Sequence, residues 1–326
     1  MRQARLKSDP DRVEAVYHCI SRTVNGQFVL DRVALEVLRG QLGVVAEFSG
    51  VQVITYALLN NHFHLLVRVP IRTRPADAEL LRRYRLLYPR RTKYRTADPH
   101  DIERLLREDG AGAQRWRESM YRRMGDVSAF MKTLKERYTR WFNHTHRRFG
   151  TLWAERFKST LVQPVGHASQ TMAAYLDLNA VRANLTKDPK DYRFCGYAEA
   201  VAGGRRARTG LGSLFPGEDW KAVQSSYREI LYASGAAPRE HGRAIPIEEY
   251  RRVRREKGQL TLAEALHCRI RHFSDGAVLG SRAFVTEQLE EYRRKTGRRQ
   301  RTAPRPLPPV AAWGDLMTLR GLRRRG

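Results

Sequence analysis

An α+β fold is predicted for this chain, and three observations predict it. The first is an alternating apolar run, Val13 to Ile20 (VEAVYHCI), which reads as a strand. Asn25-Gly26 in the following SRTVNGQ is a turn signal. The second is Phe28 to Phe48, where Val33, Leu35, Val37, Leu38, Leu42 and Val45 fall at helical spacing and Gly50 ends the stretch. The third is the apolar segment from Val51 to Val69, interrupted at Asn60-Asn61, where a hairpin or bulge is expected. Strand, helix, strand, strand is the opening of a small α+β sheet rather than of a doubly wound one.

The second half of that hairpin, within YALLNNHFHLLVRV (Tyr56 to Val69), carries His62 and His64 on either side of Phe63. Side chains alternate along a strand, so the two histidines project together and Phe63 points the other way. Two imidazoles on one face of a rigid strand are half of a metal site. The alternative is a pair of core histidines held by ordinary hydrogen bonds.

From Ile71 to about Gly125 the chain turns strongly charged and helical. LLRRYRLLYPRR, DIERLLRE and AQRWRESMYRRM are three pieces of what reads as an insertion over the sheet. Basic and aromatic residues interleave there: Arg82, Arg83, Tyr84, Arg85, Tyr88, Arg90, Arg91 and Tyr94. This pattern suits phosphate contact with base stacking, and equally a solvated helix face with its aromatic residues packed inward. Asp126 to Asn143 reads as a helix with Phe130, Met131, Leu134, Tyr138 and Phe142 inward. The basic loop HTHRRFG follows, then Gly150 to Val165, read as a strand carrying Arg156 and Lys158. Trp153 on it suits either base stacking or burial in the sheet.

Ala168 to Ala183, ASQTMAAYLDLNAVRA, is alanine-rich and helical. Tyr175, Asn179 and Arg182 fall at helical spacing and share one face. They are either partners of the histidine strand or a core tyrosine beside a surface amide. Ala202 to Leu214, AGGRRARTGLGSL, reads as a flexible link, with helical pieces at Asp219 to Ala233 and Pro246 to Lys257. Thr261 and Glu264 form a capping box opening a further helix. A turn at SDGAVLG leads to a helix capped by Ser281 and ending near Tyr292, so that 259–300 is similar to a helix-turn-helix, with Arg282 a candidate DNA contact. The tail 301–326 is basic and Pro-rich.

The chain of 326 residues holds 61 Lys and Arg against 34 Asp and Glu, a formal charge of +27. Such an excess implies a polyanionic partner, nucleic acid before an anionic membrane surface. No run approaches the roughly 18 apolar residues of a spanning helix, and the N-terminal MRQARLKSDPDR lacks an apolar signal core. Cys19, Cys195 and Cys268 have neither zinc-knuckle nor disulfide spacing, so a reducing cytoplasm is expected.

Two neutral imidazoles (His62, His64) and one amide oxygen (Asn179) make a weak, neutral ligand set with open positions. That set suits Mg²⁺ or Mn²⁺ awaiting phosphate oxygens. Tyr175 is then the candidate nucleophile. Its phenol is mostly protonated at neutral pH, and a positive field with a metal favours the phenolate. Attack on phosphorus would conserve the bond energy in a phosphotyrosine for rejoining. Tyr138 is the rival, but its spacing places it on an apolar face with Leu134 and Phe142.

The ordered segments YHCISRTVNGQ, LLNNHFHLLV, FMKTLKERYTRWFN, GTLWAERFKS and YLDLNAVRAN…DYRFCGY resemble the REP-associated tyrosine transposases of the single-tyrosine HUH superfamily. The resemblance covers roughly Val13 to Tyr197. It implies a ferredoxin-like antiparallel sheet with packed helices over 1–198, with the helical insertion at about 71–125. A linker with a helical segment (199–258) and a helical C-terminal extension then follow. It identifies His62 and His64 with the HUH motif, Tyr175 with the nucleophile and Asn179 with the third metal ligand. The implied activity is metal-dependent cleavage and rejoining of single-stranded DNA at hairpins, leaving a 5′-phosphotyrosine. The alternative is a catalytically silent protein that binds or regulates at DNA hairpins. Expected partners are single-stranded or hairpin DNA, contacted by Arg156, Lys158, Arg182 and Arg282, and a second copy of the chain in a homodimer. Two departures stand out. Ala180 replaces the usual Pro after the motif's Asn, and the C-terminal extension is long.

Overall fold

Eight residues with strictly alternating faces, Ala15–Arg22, form β1, the strand about which the sheet is built. In the computed structural model, residues 6–89, 97–186, 188–235, 277–296, 303–306 and 316–319 are described. β1 leads through a short turn into α1, Arg32–Ser49, and then into the hairpin of β2, Gln52–Leu59, and β3, His62–Val69. After a helical insertion come α5, Val127–Thr145, and β4, Lys158–Val162. β1 pairs antiparallel with both β3 and β4, and β3 pairs antiparallel with β2. The resulting order β2-β3-β1-β4, threaded as βαββαβ, is the ferredoxin-like sheet. Three short strands extend it beyond β4: β5 (Val278–Gly280), β6 (Arg305–Pro306) and β7 (Met317–Leu319), in the order β5-β7-β6.

The two faces of the sheet carry separate cores. Tyr17, Cys19, Tyr56, Leu58, Phe63, Leu65 and Val67 pack against α1 and α5 on one face. Val16, Ile54, Leu66 and Val162 meet α6 (His167–Asp177), α8 (Gly196–Val201), α9 (Arg205–Gly212) and α10 (Trp220–Gly235) on the other. Strand alternation sorts these residues, so His18 and His64 share the second face with Val16 and Leu66.

The expected helix from Phe28 begins at Arg32 because Asp31 caps it, its carboxylate accepting the Ala34 amide. The insertion forms α2 (Asp77–Leu87), α3 (Pro99–Glu108) and α4 (Ala111–Tyr121). Its aromatic residues face inward. Tyr84 is buried in the first core with Tyr88 packed beside it, while Arg82 and Arg83 pair with Glu79 and Arg85 with Glu103. Arg90, Arg91 and Tyr94 lie outside the described residues.

The strand read over 150–165 is shorter. Gly150 is left-handed, Ala154 N–H turns back to the Arg22 carbonyl, and β4 starts only at Lys158. Trp153 is buried against Phe63 and Tyr138. The helix read over 168–183 breaks at Leu178 into α6 and α7, Asn179–Arg182.

The stretch read as a flexible link, 202–214, holds α9 instead. Its Gly210 lies against the backbone of β2 so closely that an added Cβ would fall 2.3 Å from the Val53 carbonyl oxygen. α9 thereby covers an edge strand whose register shifts at Val53 to Thr55. The turn expected at SDGAVLG contains β5, because Val278 and Leu279 find partners in β4 and β7. The helix after it, α11 (Arg282–Thr296), is capped by Ser281 as expected and buries Val285, Leu289 and Tyr292 in the first core. The capping-box segment at Thr261 and the piece from Pro246 lie outside the described residues. Among the described residues no helix is long and apolar enough to cross a membrane.

Candidate active site

The two-residue hairpin turn Asn60-Asn61 fixes where β3 begins and which way His62 faces. The Asn61 amide nitrogen donates to the Gly26 carbonyl at 3.0 Å, so its oxygen is the atom 2.6 Å from His62 Nδ1. His62 Nδ1 therefore carries the proton, and Nε2 holds the lone pair. Two residues on, His64 Nδ1 lies 3.0 Å from Nε2 of His18 on β1. For His64 Nε2 to hold a lone pair, the shared proton sits on His64 Nδ1 and His18 accepts. The rings of His62 and His64 are 5.1 Å apart.

Burial holds both histidines neutral. His62 is pushed down to about 4 by desolvation and then by the Arg22 charge. His64 falls well below its ordinary value through desolvation first, with neighbouring positive charge adding to it.

α6 crosses this face and brings Tyr175 to the pair. Its ring centroid lies 6.1 Å from His64 and 5.9 Å from His18, edge-on to both. Tyr175 is only 2% exposed. The Arg182 guanidinium sits 4.5 Å above its ring and donates to its carbonyl at 2.9 Å. Asn179 Nδ2 donates to the carbonyls of Tyr175 and Leu176, at 3.0 and 3.1 Å. These bonds take the acceptors that a continuous helix would use and accompany its break at Leu178. They engage the amide nitrogen and leave Asn179 Oδ1 as the atom that could accept a ligand bond.

The donors are thus two neutral imidazoles, each with one nitrogen engaged by a neighbour, and an amide whose nitrogen is engaged. Their chemistry fits a divalent cation that draws its remaining ligands from phosphate. Among the described residues no group of three or more His, Cys, Asp or Glu is arranged to hold a metal. The expected set contains two such residues, and His18 faces His64 as a hydrogen-bond partner.

No protein-family model matches the chain, and no curated protein matches it. Among solved structures, that of a REP-associated tyrosine transposase bound to a REP hairpin is similar, at 14% identity and a TM-score of 0.40. The match covers 63% of this chain and 87% of that one. That likeness assigns no role to any residue.

The expected DNA contacts are scattered. Arg182 caps Tyr175, inside the site. Arg156 is exposed on the loop before β4, and Lys158 opens β4 within 3.3 Å of Glu155. Arg282 is exposed at the start of α11, beside β5, which is three strands from β3 in the sheet. Tyr138 is on the opposite face, buried, with its hydroxyl donating to the Ala34 carbonyl at 3.0 Å and its ionisation pushed up by burial.

Sequence reasoning missed four residues: His18, Asn61, Arg22 and Asp177. His18 left a signal, a polar residue inside an apolar strand, and Asn61 was legible only as part of the Asn60-Asn61 turn. Asp177 is fully buried two residues past Tyr175. It accepts from Thr55 Oγ1 on β2 (2.8 Å), Tyr197 N on α8 (3.1 Å) and the Tyr227 hydroxyl on α10 (2.5 Å). One carboxylate thus ties the Tyr175 helix to three neighbouring elements.

Proposed function

We propose that the chain is a DNA strand transferase, cleaving and rejoining single-stranded DNA at hairpins through a covalent 5′-phosphotyrosine on Tyr175. The observation that carries this reading is the meeting of Tyr175 on α6 with His64 on β3, in edge-on ring contact. The Tyr175 oxygen attacks phosphorus and the bond from phosphorus to the 3′ oxygen breaks. The phenol gives up its proton and the departing 3′ oxygen gains one. Reversal with another 3′-OH rejoins the strand, and no water is consumed.

Arg182 places positive charge over the ring that bears the attacking oxygen, where charge on an incoming phosphate would meet it. It also covers that ring, so an incoming phosphate must draw the guanidinium aside to reach Tyr175. His62, His64 and Asn179 would hold Mg²⁺ or Mn²⁺, which when bound polarises the phosphodiester and stabilises charge developing on it. Asn61 and His18 hold the two imidazoles in place. Arg156, Lys158 and Arg282 supply phosphate contacts away from the reacting atoms.

A second reading, a catalytically silent hairpin-binding or regulatory protein, is favoured by the burial of Tyr175. A denaturing gel separates the two. The protein is mixed with labelled single-stranded hairpin DNA from a repeat flanking the gene and Mn²⁺, beside Tyr175→Phe. A protease-sensitive, slow-migrating adduct in the parent alone supports the transferase. An adduct that survives in the variant moves the nucleophile elsewhere, and tight binding with no adduct supports the silent protein.

A further inference from the structure

The basic loop that follows α5 projects a phenylalanine into solvent. Phe149 is 97% exposed, the most exposed large apolar side chain among the described residues. The loop around it is held in place. Arg148 N–H donates to the Asn143 carbonyl and Asn143 Nδ2 to the Gly150 carbonyl, both at 2.9 Å. The Arg148 guanidinium lies 5.7 Å from the Phe142 ring centroid. Arg147, with φ of 51°, adopts the left-handed conformation that non-glycine residues rarely take. Two side-chain anchors thus hold, against the strain at Arg147, a loop that leaves its one large apolar side chain wet.

Beside this loop a cavity of about 870 Å³ runs between α5 and residues 151–157. Lys132, Lys135, Arg140 and Arg156 line it together with Glu136 and Glu155, and Thr151 sits at the Phe149 end of the chain segment. Its loop wall is stitched to the histidine site. Ala154 N–H donates to the Arg22 carbonyl at 3.0 Å, Thr23 bridges to Trp153, and Arg22 stands opposite His62 in the β1–β3 register.

We propose that Phe149 and this groove bind unpaired single-stranded DNA, with Phe149 stacking on a base and Lys132, Arg140 and Arg156 contacting phosphates. Phe149 stands two residues before Thr151 in the groove's lining, and a positively charged track with an aromatic ring near it is what sequence-tolerant single-strand binding requires. A duplex has no unstacked base for the ring to meet. The surface deepens the strand-transferase reading, on which it rests, by naming a seat for the unpaired strand on the α5 side of the sheet, joined to the histidine strand through the end of β1.

The test is fluorescence anisotropy with fluorescein-labelled oligothymidine and, separately, a flush-ended DNA duplex, on the full chain. Phe149→Ala is expected to weaken oligothymidine binding about tenfold, the order of one base–aromatic stack. It leaves duplex binding unchanged, and Phe149→Trp restores the oligothymidine affinity. Because Phe149 is exposed, its replacement does not threaten the fold. Replacing Lys132 and Arg140 together by Gln is expected to lower the salt slope for oligothymidine by about 1.4, at about 0.7 for each phosphate no longer neutralised. Equal binding by the parent and Phe149→Ala, or equal losses on both probes, overturns the proposal. An adduct on hairpin DNA without a Phe149 effect sinks this surface and leaves the transferase standing. A Phe149 effect without any adduct does the reverse.

Discussion

Asp177 sets a pH dependence of stability that can be worked from its surroundings. Burial pushes its carboxyl up to about 6 from 3.8, against the hydrogen bonds from Tyr227, Tyr197 and Thr55 that pull it down. A group whose pKa is raised by folding binds its proton more tightly in the native state. Stability therefore falls as pH rises through the window between those two values, and the loss is complete above about 6. A gap of about two pKa units corresponds to about 3 kcal/mol.

His62 and His64 act in the opposite sense in metal-free protein. Their folded pKa values are depressed, so the stability they contribute is present above about 6.5 and is lost progressively as pH falls from there toward the folded values, about 4 for His62 and well below 6.5 for His64. The raw pH profile mixes the two effects, and a variant separates them. Urea unfolding of the parent and of Asp177→Asn, both in EDTA, is compared across a pH series spanning 4 to 7. The parent is expected to lose about 2 kcal/mol relative to the variant from pH 4 to pH 7, the remainder of the shift lying below pH 4. The variant itself is less stable at acid pH, because its amide NH₂ takes the place of one oxygen and faces the donor that oxygen accepted from, the Tyr227 hydroxyl or the Tyr197 amide; an unmade buried hydrogen bond costs about 1–3 kcal/mol. A stability difference that stays flat across the series refutes the reasoning. It would mean that the three donors outweigh burial and that Asp177 is ionised throughout.

Two further outcomes follow from the packing. Asn61→Ala frees His62 to change tautomer and rotate, and should weaken Mn²⁺ binding by calorimetry about 10- to 100-fold, the usual effect of removing a partner of a metal-ligating histidine. An unchanged Mn²⁺ affinity would remove Asn61 from the site. Gly210→Ala drives a methyl into the carbonyls of Val53 and Ile54, and should destabilise the fold by about 1–3 kcal/mol in urea unfolding as α9 is pushed from β2. A neutral result would show that α9 shifts at no cost.

The fold was legible wherever a period was long enough to read. The alternation in β1, β2 and β3 and the 3.6-residue spacing in α1 and α5 sort residues onto faces without knowledge of any partner. Boundaries failed where a single contact decides them. The Asp31 cap starts α1 late, the Asn179 amide bonds break the helix at Leu178, and the return of Ala154 to Arg22 keeps 150–157 out of β4. α9 was illegible because its glycines and arginines describe a link by composition, whereas Gly210 is small so that a helix can lie on the edge of β2. β5 was illegible because three residues show no period, and only the neighbours β4 and β7 make them a strand.

The site divides along the same line. His62 and His64 share a face by alternation, and Tyr175 and Asn179 by helical spacing, so each pair can be read within one element. His18 and Asp177 depend on register instead. His18 meets His64 because β1 and β3 pair with Ile20 opposite His64. A one-residue slip of β1 would turn His18 to the other face and put Cys19 in its place. Asp177 meets Thr55 because the register shift in β2 falls between Val53 and Thr55. Polar groups whose partners lie on another element are fixed by relations that no stretch of sequence contains. In this chain they are the groups that join the histidines and the Tyr175 helix to their neighbours.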